Sequence, residues 1–132
     1  MADHRHAILI VDDHNDLRDA LVTLLEVEGY AVEAAGMGLD ALTMIAFGYR
    51  PCLILLDVRM PDMDGWDVWT TLQQQPKFAD IPVVVMSGDK EVVLGHDRGL
   101  ACMLAKPVPP DELLAVIAKH ARCWREPVFK AN

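Results

Sequence analysis

Four apolar runs, far apart in the chain, each end on a polar residue: residues 8–11 precede Asp12 and Asp13, 53–56 precede Asp57, 83–86 precede Ser87, and 103–105 precede Lys106. As parallel strands, such runs bring their carboxyl ends to one edge of a sheet. Three carboxylates, one hydroxyl and one ammonium then share a crevice. The carboxylates repel one another, so the cluster makes physical sense only with a cation among them, and Mg2+ is the natural candidate. The same set of groups suits phosphoryl transfer.

Composition limits what else the chain can be. With 132 residues, 52% of them hydrophobic and 24% charged, it suits one domain over 1–132, with a core over 7–122 and a C-terminal tail over 123–132. No apolar run approaches the roughly 18 residues that span a bilayer, and the polar start from Met1 to His6 is no signal segment, so the expected location is cytoplasmic. Cys52, Cys102 and Cys123 are odd in number and widely spaced, which suggests neither disulfides nor zinc. Twelve basic against twenty acidic residues give a net charge of −8, the wrong sign for direct binding to nucleic acid.

Between the apolar runs lie helical patterns, the alternation of a βαβ fold. Leu17, Leu21, Leu24 and Leu25 recur at helical spacing over 15–28, with Asn15 or Asp16 as cap and Gly29 as stop. A short strand is expected over 30–34, a helix over 39–47 closed by Gly48, and the most apolar strand over 52–56. A helix over 65–75 stops at Pro76, and the β-branched stretch 81–86 reads as a strand opened by Pro82. Residues 90–98 form a weak helix because Gly95 and Gly99 lower its propensity, and 102–105 form the last strand. Pro109 and Pro110 introduce a final helix over 111–124, with Leu113, Ile117, Ala121 and Trp124 on one face. Right-handed crossovers allow few arrangements of such units. The flavodoxin-like, doubly wound (βα)5 order 2-1-3-4-5 is one of them, and it makes Asp12, Asp13 and Asp57 neighbours at the switch point of a five-stranded parallel sheet.

Here the residues match a family. The chain resembles the receiver domain of bacterial two-component response regulators from Ala7 to about Arg122, through Ile10-Val11-Asp12-Asp13-His14, Leu55-Leu56-Asp57-Val58-Arg59-Met60-Pro61-Asp62-Met63-Asp64-Gly65, Val85-Met86-Ser87-Gly88 and Ala105-Lys106-Pro107. Each motif is weak alone; together, in order and at strand ends, they are specific. The resemblance implies that Asp57 accepts a phosphoryl group from a histidine kinase or histidine phosphotransfer protein, in a Mg2+-dependent reaction. Asp13 and Asp57, with Asp12 directly or through water, can supply carboxylates to Mg2+, and receivers add the backbone carbonyl two residues past the acceptor, here that of Arg59. Ser87 can donate to one phosphoryl oxygen and Lys106 can neutralise another. The family also implies a cis Lys106-Pro107 bond. The expected protein is a stand-alone switch that catalyses only its own phosphorylation and dephosphorylation.

Other readings account for less. Asp12 and Asp13 alone could cap a helix, Ser87-Gly88 could be a turn, and 62–65 resembles part of a calcium loop but lacks its spaced ligands. An aspartate-nucleophile phosphatase needs a second acid two residues after the nucleophile, where Arg59 stands. Flavin binding lacks a phosphate-cradling loop after the first strand. A receiver-like interaction module working without phosphate is the main alternative, favoured by two departures and opposed by the intact Asp12, Asp13, Asp57, Ser87 and Lys106. Met103 replaces the aromatic residue three before the lysine, and the stretch from Ser87 to Lys106 is about one helical turn short. Gly88, in place of a common alanine, is a milder change in the loop after the hydroxyl residue.

Overall fold

The computed structural model describes residues 6–60, 63–88 and 102–122. Five parallel strands, β1 (Ala7–Val11), β2 (Ala31–Ala35), β3 (Leu53–Asp57), β4 (Val83–Ser87) and β5 (Cys102–Ala105), lie in the order β2-β1-β3-β4-β5. Four helices accompany them among the described residues: α1 (Asn15–Val27), α2 (Gly38–Ala46), α3 (Gly65–Gln73) and Pro110–His120, here α4. The helix expected over 90–98 lies outside the described residues.

The continuous apolar runs exist because the central strands are covered on both faces. Leu9, Val11, Ile54, Leu56, Val83 and Val85 share one core with Ala41 and Ile45 of α2 and Val68 and Leu72 of α3. Their alternates Ile8, Ile10, Leu53, Leu55, Val84 and Met86 pack on Leu21 and Leu25 of α1 and on Leu113 and Ile117 of α4. Every residue of β3 and β4 is buried, whereas in β5 only Leu104 is.

Two helix ends differ from the sequence expectation. The cap of α1 is His14 rather than Asn15 or Asp16: its Nδ1 accepts from the Leu17 N–H (3.2 Å), while Asn15 Oδ1 accepts from Arg18 (2.7 Å). The last helix stops at His120 instead of running to 124. Ala121 turns extended (ψ 132°), and the Arg122 N–H donates to the Cys52 carbonyl at 2.9 Å, pulling the chain back onto the sheet. Gly29 and Gly48 close α1 and α2 with φ of 97° and 113°, the left-handed conformation that glycine adopts cheaply.

Candidate phosphoacceptor and metal site

Register places the polar residues. Val11 pairs with Leu56, Asp57 with Met86, and Ser87 with Ala105, so Asp12, Asp57, Ser87 and Lys106 all stand at the carboxyl edge of the sheet. One carboxylate oxygen each from Asp12, Asp13 and Asp57 lie within 4.8 Å of one another. Asp12 and Asp57 are buried and Asp13 is exposed, so the cluster opens toward solvent on one side. Lys106 Nζ lies 3.3 Å from Asp12 Oδ2 and 3.2 Å from Asp57 Oδ1. Its aliphatic stem lines an apolar cavity of about 340 Å3 with Leu17, Leu21, Met86 and Leu113, so the ammonium reaches the acids over a greasy base.

Each acid is fixed by its neighbours. Asp12 Oδ1 accepts the His14 N–H (2.8 Å), and the Asp12 carbonyl accepts from Arg18 (2.9 Å). Burial raises the Asp57 carboxyl above its ordinary value; Lys106 opposes the rise, Asp12 adds to it, and a hydrogen bond from the Arg59 backbone opposes it again. Crowded, partly desolvated carboxylate oxygens are hard donors of the kind Mg2+ takes, so the donor set fits that ion.

Lys106 also ties two strands together, since its N–H donates to the Ser87 carbonyl at 2.8 Å. The Lys106-Pro107 bond is cis. Ser87 is 2% exposed at the end of β4, and Arg59 follows Asp57 with its side chain outward. Met103 is half-buried against the core beneath α2 and α3.

Three supporting residues were not singled out from sequence as parts of this site. His14 both caps α1 and anchors Asp12, and Arg18 braces the Asp12 carbonyl. Gly65 lies so close to the acceptor strand that a Cβ there would stand 2.6 Å from the Asp57 carbonyl oxygen. A glycine directly after the Asp64 cap was the only available signal for that close approach.

A doubly wound parallel sheet with clustered acids and one lysine at its switch point defines a class of phosphoacceptor signalling switches. The family model described as the response regulator receiver domain matches residues 8–118, and the chain belongs to that family. It is 40% identical over 113 residues to the transcriptional regulatory protein CpxR homolog of Haemophilus influenzae, an alignment covering 83% of this chain and 48% of that protein. The chain thus spans about half the length of the curated relatives it matches. Among solved structures, it is similar to a putative response regulator from Chloroflexus aurantiacus (TM-score 0.81, 30% identity, 88% of this chain and 97% of that one). It is also similar to a CheY-like receiver domain protein from Methanospirillum hungatei (TM-score 0.77, 29% identity, 88% and 93%).

Proposed function

We propose that this chain takes a phosphoryl group on Asp57 from a histidine kinase or histidine phosphotransfer protein and changes its affinity for a downstream protein as a result. The observation that carries the reading is the acidic cluster with Lys106 bonded to two of its members. An Asp57 carboxylate oxygen attacks the phosphorus, the P–N bond to the donor imidazole breaks, and that imidazole leaves with a proton from solvent. Lys106, already at the acceptor oxygen, balances the charge of the incoming phosphoryl group, and the Ser87 hydroxyl at the facing strand end donates to another of its oxygens. Asp12, Asp13, Asp57 and the Arg59 backbone carbonyl are the groups that would hold Mg2+. When bound, the ion offsets phosphoryl and carboxylate charge and helps align donor with acceptor.

On this reading the chain catalyses only its own phosphorylation and dephosphorylation. It works in the cytoplasm and makes no direct contact with nucleic acid. No described helix is long and apolar enough to cross a membrane. Incubation with a small phosphodonor and Mg2+, read by intact mass, should add one phosphoryl group. Asp57→Asn and EDTA should each prevent it, and equal labelling of the Asn variant would overturn the assignment.

A further inference from the structure

The main chain between Asp12 and Asp13 is held from two neighbouring elements. The Asp12 N–H donates to the Ala35 carbonyl at the end of β2 (3.1 Å), and the Asp12 carbonyl accepts from Arg18 Nη1 of α1 (2.9 Å). That carbonyl and the Asp13 N–H belong to one planar peptide unit, so whatever fixes the first also fixes where the Asp13 Cα stands. The Asp12 side chain has its own holders, the His14 N–H and Lys106. Asp13 is the exposed member of the acidic cluster, and its place is set through this peptide. Arg18 reaches the Asp12 carbonyl past Gly36. Its Nη2 donates to Asn15 Oδ1 (2.7 Å), which sets the plane of the guanidinium. A Cβ on Gly36 would stand 2.8 Å from Nη1, the atom that bonds Asp12. The positive φ values belong to Gly29 and Gly48, so at Gly36 it is the space filled by the guanidinium, and not φ, that calls for glycine.

Both of these Arg18 bonds go to neutral oxygens, so the guanidinium orients the backbone of the acids without neutralising a carboxylate. We propose that Arg18 is a positioning residue for the divalent cation, fixing the peptide that carries Asp13, and that Gly36 supplies the clearance it needs. The proposal rests on the reading of the acidic cluster as a Mg2+ site and adds two residues that are not themselves ligands. The sign of one measurement separates positioning from charge. Removing a nearby positive charge, with the geometry unchanged, tightens the binding of a cation. Losing the positioning weakens it, since partners that orient metal ligands are worth about 10- to 100-fold in affinity.

Mg2+ titrated into the full chain, followed by the amide chemical shifts of Asp12, Asp13 and Asp57, should give an affinity roughly tenfold weaker in Arg18→Met than in the parent. Gly36→Ala keeps the charge and displaces the guanidinium, and it should weaken Mg2+ in the same direction. The two losses should not add: Gly36→Ala should change little in the Arg18→Met background, because the group it displaces is already gone. Arg18→Lys keeps the charge and one donor without the planar fork, and should recover part of the affinity. Phosphoryl uptake from a small phosphodonor should slow more at low Mg2+ than at saturating Mg2+, and circular dichroism in EDTA should show that the variants fold. Mg2+ binding as tight as the parent's, or tighter, in Arg18→Met or Gly36→Ala would overturn the proposal, and so would additive losses in the double variant. A parent chain that binds no Mg2+ would overturn the reading of the cluster as a metal site, and this proposal with it.

Discussion

Lys106 is bonded to two buried acids at once, and that fixes what its removal does. Deleting one partner of a buried ion pair costs about 3–5 kcal/mol, because the other charge is stranded. Lys106 is 24% exposed, so water replaces part of the loss, and Lys106→Ala should cost the metal-free protein about 2–3 kcal/mol. The pH dependence has a definite sign. The Asp57 carboxyl is raised in the fold, so its contribution is fully present below its unfolded pKa and is lost as pH rises through its folded pKa. Without Lys106 the largest opposing influence is gone, so the defect should grow toward neutral pH and shrink on acidification. Mg2+ should recover more stability in the variant than in the parent, since the lysine is no metal ligand. Urea unfolding with Mg2+ or EDTA at two pH values checks this, and a variant indifferent to Mg2+ would contradict the assigned roles.

At the scale of elements, the sequence pattern located strands and helices well and their junctions less well. The apolar runs and the glycine stops at 29 and 48 are local signals, and the structure places those elements within a residue or two of the expected bounds. The cap of α1 was missed because histidine competes weakly for that position on propensity; the Asp12 bond to the His14 N–H holds the residue in place. The last helix ends early because Arg122 bonds to Cys52, a partner 70 residues away that no local pattern reveals. His14→Ala should cost about 1 kcal/mol in thermal unfolding as a lost cap. Gly65→Ala should cost more, about 2–4 kcal/mol, because its Cβ meets backbone atoms of Asp57 and Val58 that cannot move aside. It should also slow phosphoryl uptake, whereas His14→Ala should leave most of it.

For the molecule as a whole, the order of strands was accessible because handedness leaves few choices once parallel strands are accepted. The acids and the lysine were readable as a set because the edge they share is defined by that order. Their bonding pattern was not readable, since the two Lys106 contacts span 94 and 49 residues of sequence. Asp12 and Asp13 directly follow β1 and Asp57 ends β3, strands that are buried almost throughout, whereas the lysine follows β5, an edge strand buried only at Leu104. In native-state hydrogen exchange, amides of β1 and β3 should therefore open only with global unfolding, and those of β5 at a lower free energy. The Lys106 amide, held by Ser87, is the reporter; protection there equal to that of β3 would contradict the gradient. If the gradient holds, the crevice loses its ammonium far more often than it loses its shape, and the frequency of that fraying sets how long a bound anion keeps its counter-charge.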